Sequence, residues 1–295
     1  MSSPRAPEGR LVVCPTPIGN LQDITLRALE ALAQADTVAC EDTRHTGRLL
    51  QRHGIDARLV SLHEHNERAR AGELAKAIAA GATVALVSDA GTPLVSDPGW
   101  QLVRRCIDDG LAVEVLPGPS AAVTALVASG LPAERWLFAG FLPRARSELA
   151  QLLAGEHTLV AYESPRRLAP TLGAVAEREP ERPAAVCREL TKVHEEVRRG
   201  TAAELADHYA EHPPRGEIVV VLGPAEPVRL ERERAIRAVR ELVDAGARPR
   251  AAAGAVAGLT GHAANELYRA LTGGDGSAGD GAPDGPAGGA AGGAG

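Results

Sequence analysis

The sequence predicts an α/β fold built on a parallel sheet, and three features carry the prediction. Residues 82–87 form a short apolar run without charge, which suits a strand covered on both faces. That run stops at Ser88-Asp89-Ala90-Gly91-Thr92-Pro93; Asp97-Pro98-Gly99 and an amphipathic segment to Asp109 follow. A second apolar run, residues 112–116, stops in the same way at Pro117-Gly118-Pro119-Ser120-Ala121, where a helix of small residues begins. Both turns then fall at the carboxyl ends of parallel strands, where open α/β sheets bind ligands. A length of 295 residues suits about two domains and a sizeable core.

Taken in order, Leu11-Val12-Val13-Cys14 reads as the first strand, stopped by Pro15-Thr16-Pro17-Ile18-Gly19-Asn20. Asp23 or Thr25 caps the next helix, with Ile24, Leu26, Leu29 and Leu32 as its apolar stripe. Residues 37–40 form a second strand, followed by Glu41-Asp42-Thr43-Arg44-His45. Asp42 or Thr43 caps a helix to His53, or Asp42 and Arg44 stand at a substrate mouth with Arg48, Arg52 and Arg58 as a positive rim. A third strand, residues 58–62, leads to His63-Glu64-His65-Asn66-Glu67. His-x-His is a metal pair in principle, but no third ligand has a matching spacing, so no metal is expected. Asn66 is expected to cap the following helix.

A boundary falls at Leu131-Pro132, dividing a domain at 10–130 from a second α/β unit at 131–226. Residues 136–142, 158–162, 184–187 and 217–222 read as its strands, and residues 202–210 as a helix. Polar turns interrupt them at Pro143-Arg144-Ala145-Arg146, Glu163-Ser164-Pro165-Arg166-Arg167 and Arg188-Glu189-Leu190-Thr191-Lys192. A charged helix over 230–245 and two short helices, 251–259 and 263–271, suggest a small helix-turn-helix-like module at 230–271. From 273 to 295 the composition collapses to Gly, Ala, Asp and Pro, so disorder is expected there.

Composition sets limits on function. The formal net charge of −6 excludes a uniformly basic nucleic-acid coat but leaves room for a local basic face. Among 32 basic residues only Lys76 and Lys192 are lysines, so guanidinium forks suited to phosphate are plentiful. The four cysteines have no Cys-x-x-Cys spacing and read as small buried hydrophobes. The amino terminus has no apolar core for a signal peptide, and no run approaches membrane-spanning length; a cytoplasmic location without membrane contact is expected. There is no Gly-x-x-x-x-Gly-Lys-Ser/Thr loop, no Gly-x-Gly-x-x-Gly and no Gly-x-Ser-x-Gly elbow. Phosphate-transfer and acyl-enzyme chemistry lose most of their support.

Eight motifs in order carry a resemblance: Thr16-Pro17-Ile18-Gly19-Asn20-Leu21, Glu41-Asp42-Thr43-Arg44, His65-Asn66-Glu67, Ser88-Asp89-Ala90-Gly91-Thr92-Pro93, Asp97-Pro98-Gly99, Pro117-Gly118-Pro119-Ser120-Ala121, Tyr162-Glu163-Ser164-Pro165 and Arg188-Glu189-Leu190-Thr191-Lys192. Over residues 10–224 the chain resembles the small-subunit ribosomal RNA 2′-O-ribose methyltransferase I family, within the tetrapyrrole-methylase fold, with a weaker echo to 271. The resemblance implies two α/β domains with S-adenosylmethionine (SAM) in the cleft between them. It further implies a homodimer that methylates the ribose of a cytidine in the decoding region of the small ribosomal subunit.

Carried onto this sequence, the implied SAM wall is Pro17, Ile18, Gly19, Ser88, Asp89, Ala90, Gly91, Thr92, Val95, Ser120 and Ala121, joined by Tyr162, Leu190, Gly216, Glu217 and Ile218. A ribose hydroxyl needs its proton removed or strongly hydrogen-bonded before it attacks a methyl group. Asp42, His65, Glu163 and Lys192 are the expected catalytic candidates, unranked. Arg44, Arg48, Asn66, Arg144 and Arg166 are the expected RNA contacts, the arginines being better suited to gripping phosphate than to accepting a proton. The terminal helices resemble that family's RNA-docking appendage, although Gly261-His262-Ala263-Ala264 stands where basic residues are expected. Two other functions fit the same residues: a small-molecule methylase acting on a tetrapyrrole-like acid, and a ribosome-assembly protein that holds SAM as a structural ligand.

Overall fold

A computed structural model describes residues 9–225 and 232–271. They fall into two compact units, within 1–225 and within 226–295. The expected tail at 273–295 and the first residues of the charged helix lie outside the described residues.

The larger unit contains two five-stranded sheets. The first joins β1 (Arg10–Val13), β2 (Thr37–Cys40), β3 (Leu59–Ser61), β4 (Thr83–Leu86) and β5 (Ala112–Val115) in the order β3-β2-β4-β1-β5. Every pairing is parallel, so all five carboxyl ends share one edge. Alternation along the strands fills both faces. Leu11, Val13 and Leu86 pack with α3 (Glu67–Ala79) and α4 (Trp100–Asp108). Val12, Cys14 and Ala85 pack with α1 (Leu26–Gln34) and α2 (Thr43–Arg52). This is why the strands read as unbroken apolar runs. All four cysteines are buried as free thiols, and burial pushes the Cys14 thiol up to about 12.

Local signals explain most boundaries. Thr25 caps α1 by accepting from the Ala28 N–H at 3.1 Å. Asp42 caps α2 by accepting from the Arg44 N–H at 2.8 Å. Two expectations are corrected. Leu26 is 85% exposed, and Ala28 and Leu32 are the buried residues of α1, because positions six apart lie about 120° from each other around a helix and Leu26 cannot share the face of Leu32. Asn66 occupies the residue before α3 but does not cap it; its side chain accepts from the His63 N–H and donates to the Ser61 carbonyl, closing the preceding turn.

The second sheet has the order β6-β7-β10-β8-β9: β6 (Trp136–Phe141), β7 (Thr158–Glu163), β8 (Pro183–Arg188), β9 (Glu196–Thr201) and β10 (Ile218–Leu222). Only β6 and β7 run parallel; the remaining pairings are antiparallel. The sequence did not predict β9, whose charged edge residues show no apolar run. One face packs on α6 (Arg146–Leu153), α7 (Pro165–Ala176) and α8 (Ala202–Glu211). The other face receives α5 (Ala121–Ser129): Ala122, Ala125 and Leu126 lie against Val160, Ala185, Cys187 and Val219. Small residues on α5 allow that close approach, and α5, which leaves the first sheet, thereby binds the two sheets together.

The second unit is a three-helix module of α9 (Arg232–Asp244), α10 (Pro249–Thr260) and α11 (Ala264–Leu271). Ala235, Val239, Ala252, Val256 and Leu267 form its core. Gly261 adopts the left-handed conformation (φ 70°) that ends α10, as a carboxyl-terminal glycine does. Among the described residues no helix is long and apolar enough to cross a membrane.

Candidate active site

Turns that follow the parallel strands are tied to one another. Thr16 and Gly91 exchange backbone hydrogen bonds of 2.9 and 3.0 Å, joining the turns after β1 and β4. The Ser88 hydroxyl donates to the Gly91 carbonyl at 3.2 Å, and the Thr92 hydroxyl donates to the Pro119 carbonyl at 3.0 Å, adding the turn after β5. Gly91 has φ 79°, and a Cβ there would lie 3.3 Å from Ile18. A backbone this tightly folded presents bare peptide to the space in front of it.

The facing wall is also strained and pinned. Glu189 and Thr191 have φ of 48° and 65°, uncommon for residues with side chains. Glu189 holds this loop: its N–H donates to the Glu217 carbonyl at 2.9 Å, and its carboxylate accepts from the Glu217 N–H at 2.9 Å. Lys192 bridges Glu189 at 2.9 Å and Glu217 at 2.8 Å. Asn20 N–H donates to the Thr191 hydroxyl at 2.9 Å, so the turn after β1 is docked on the loop. Gly19 is required there, since a Cβ would come within 2.5 Å of Lys192.

Between these walls is a cleft of ≈ 400 Å³, within the range of small-molecule sites. Ile18, Ala90, Gly91, Thr92, Val95, Ser120 and Ala121 line one side; Tyr162, Leu190, Gly216, Glu217 and Ile218 line the other. Four other residues named from the sequence are not in the lining and act behind it. Pro17 is buried, Gly19 makes the contact with Lys192, and Ser88 ties the turn after β4. Asp89 accepts from the Asp42 N–H at 3.1 Å.

The four catalytic candidates are not gathered into one constellation. Asp42 receives Nε and Nη2 of Arg44 at 3.3 and 3.1 Å, and these bonds hold its pKa down at about 2. Glu163 lines the cleft but its side chain is fully buried and engaged by Thr171 at 2.8 Å, the Ser164 N–H at 2.7 Å and Arg167 at 3.3 Å. Lys192 loses some charge preference to burial, but bonds to Glu217 and Glu189 outweigh that and raise its pKa, so it stays an ammonium. His65 is exposed, 6.0 Å edge-on from His63, and does not line the cleft.

Arg44, Arg48, Arg144 and Arg166 are all exposed. Asp97, Ser96 and Phe141 also line the cleft, and no motif marked them as lining residues. Asp97 belongs to the Asp97-Pro98-Gly99 motif, read only as a turn; its carboxyl is pushed up to about 6 by burial, then by Glu41 and Asp89, with the Ser88 hydroxyl pulling the other way. Phe141 is 63% exposed at the end of β6 and meets Tyr162 edge-on at 5.6 Å.

The lining suits SAM. Ile18, Val95, Leu190 and Ile218 offer apolar surface to a purine, Gly91 admits close backbone approach, and Asp97 and Glu217 suit a ligand carrying positive charge.

Similarity to known proteins places the chain in a family. Residues 10–206 match the family model described as Tetrapyrrole (Corrin/Porphyrin) Methylases. A relative from Mesorhizobium japonicum, "Ribosomal RNA small subunit methyltransferase I", is 50% identical over 92% of this chain and 96% of its own. A protein of the same description from Mycobacterium bovis is 49% identical over 89% of this chain and 94% of its own. A solved uroporphyrin-III C-methyltransferase from Thermus thermophilus, complexed with S-adenyl homocysteine, superposes with a TM-score of 0.52 at 22% identity, over 73% of this chain and 97% of that one. The last likeness concerns the fold alone. The chain belongs to the tetrapyrrole (corrin/porphyrin) methylases and, among them, to the ribosomal RNA small subunit methyltransferase I family.

Proposed function

We propose that this protein transfers a methyl group from SAM to the ribose 2′-hydroxyl of a cytidine in the decoding region of small-subunit ribosomal RNA, acting as a cytoplasmic homodimer without membrane contact. Membership of a methyltransferase family establishes it as a SAM-dependent methyltransferase; the acceptor, the location and the assembly are the proposal. The observation that carries it is the cleft, whose one wall is three interlocked strand-end turns and whose other is the pinned 189–192 loop. Identity near one half to ribosomal RNA methyltransferases over almost the whole chain favours RNA over a tetrapyrrole acid.

Ile18, Gly91, Val95, Leu190 and Ile218 would hold the cofactor, which supplies a methyl group activated on a cationic sulfonium. In-line displacement is governed by alignment, and the two wall clamps fix that alignment before the acceptor arrives. Phe141, exposed at the cleft edge, offers a face on which an unstacked base can rest. Arg44, Arg48, Arg144 and Arg166 are the proposed phosphate contacts around it. Asn66 is a weaker candidate, because its amide is already bonded within its own turn.

The test is incubation with methyl-labelled SAM and small subunits from a strain lacking the enzyme. Label in a cytidine ribose supports the proposal. Transfer only to a porphyrinoid acid, or SAM binding without turnover, overturns it.

A further inference from the structure

The catalytic candidates visible in the sequence leave the acceptor proton without a recipient. Asp42 is clamped by Arg44, Glu163 is consumed by three donors, Lys192 is a paired ammonium and His65 lies outside the cleft lining. Tyr162 lines the cleft, but burial, then Asp97 and Glu217, raise its pKa above the ordinary phenol, so it stays protonated. Glu217 is bound to Lys192 at 2.8 Å.

Among the described residues, one lining carboxylate, Asp97, forms no ion pair with an arginine or lysine. Asp97 lines the cleft directly after a strained stretch of loop: Leu94 and Ser96 have φ of 72° and 68°. Strain in non-glycine residues persists only where the surroundings over-determine it. The carboxyl end of the loop is anchored by Glu67 of α3, itself buried, whose Oε1 accepts from the Gly99 N–H at 2.9 Å and the Gln101 N–H at 2.8 Å. The first residue of a neighbouring helix thus anchors the carboxyl end of the loop that carries Asp97.

We propose that the carboxylate of Asp97, held in the cleft by this strained loop, is the general base that takes the proton of the acceptor hydroxyl. The inference rests on the proposed 2′-hydroxyl acceptor. In the step, an Asp97 oxygen takes the hydroxyl proton while the ribose oxygen bonds to the methyl carbon. The methyl–sulfur bond breaks with its electron pair left on sulfur, which becomes a neutral thioether, and Asp97 passes the proton to water.

Its surroundings suit the role. The groups that act on Asp97 are Glu41 after β2, Asp89 and Ser88 after β4, and Tyr162 on β7, with His63 in turn beside Glu41. Two carboxylates and partial burial disfavour its charge, so it holds a proton more readily than an exposed aspartate yet is ionised at neutral pH. General bases work best with a pKa close to the operating pH.

The experiment compares the wild-type protein with Asp97→Asn, using labelled SAM and unmethylated small subunits across pH 5–9, beside calorimetric affinities for SAM and thermal unfolding. The wild type should lose kcat below pH 6. Asp97→Asn should lose about 100-fold or more in kcat, lack that acidic limb, and bind SAM within a few-fold of wild type. A readout independent of turnover follows from linkage: the folded carboxyl binds its proton more tightly than the unfolded one, so the wild type is destabilised as pH rises from about 4 through 6. Asp97→Asn should therefore melt higher than wild type at pH 7.5, with the difference closing toward pH 4. If the variant turns over within threefold of wild type, or its loss follows weakened SAM affinity with the acidic limb retained, the base assignment falls. If the wild type itself puts no label into ribose, the acceptor proposal falls and takes this one with it.

Discussion

Replacing Glu67 with alanine removes the hook that holds the amino end of α4 against α3. Glycine at position 99 has no side chain to cap that helix, so Glu67 does so from 32 residues away in sequence. Its single Oε1 serves two N–H groups, one of them at fully buried Gly99. Hydrogen bonds to a charged acceptor contribute ~1.5–3 kcal/mol each and neutral ones ~0.5–1.5 kcal/mol. Removing the carboxylate also spares the cost of burying it, so Glu67→Ala should lose about 3 kcal/mol rather than the gross sum. Glu67→Gln, which can place an amide oxygen where Oε1 stands, should lose roughly half of that. Urea unfolding measures this directly: the midpoint should fall in the order wild type, Gln, Ala, with an unchanged slope. Since the clamp also anchors the carboxyl end of the loop that lines the cleft at Val95, Ser96 and Asp97, SAM affinity should fall in the same order. An alanine variant within about 0.5 kcal/mol of wild type would refute the clamp.

Two further outcomes test the site. Gly91→Val should weaken SAM binding at least tenfold while the protein stays folded, because φ 79° is costly for a β-branched residue and a Cβ would press on Ile18; unchanged calorimetric affinity would remove this turn from the site. Substituting Arg44 and Arg166 by alanine together should flatten the salt dependence of subunit binding by about 0.7–0.9 log units per lost contact and leave SAM affinity nearly unchanged; a full salt slope in the double variant would take RNA off this edge.

Several elements were legible from residues alone because their causes are local. Apolar runs bounded by glycine and proline turns announced β1, β4, β5, β7 and β10, and the Asp42-Thr43 pair announced the start of α2, of which Asp42 is the cap. The turns after β1, β4 and β5 were readable as a ligand edge for the same reason: parallel strands put their carboxyl ends together. Twelve of the lining residues were implied by the family resemblance; eight of them stand in the ordered motifs that carry it, while Val95, Gly216, Glu217 and Ile218 lie outside those motifs.

What the sequence could not say depended on neighbours distant along the chain. β9 has no apolar signature because it is an edge, and only pairing with β8 defines it. Leu26 looked like core, but packing on the sheet selects the Ala28–Leu32 face of α1, and Leu26 lies about 120° around the helix from Leu32. Lys192 read as a candidate base until Glu189 and Glu217, 3 and 25 residues away, made it a charged strut. Asp97 is the converse: Glu41 and Asp89 reach it from the ends of β2 and β4, and Glu67 fixes its loop from another helix. Proton affinity is a sum over charges and burial in three dimensions, so tertiary structure, rather than any spacing in the chain, decides which carboxylate is poised to accept a proton.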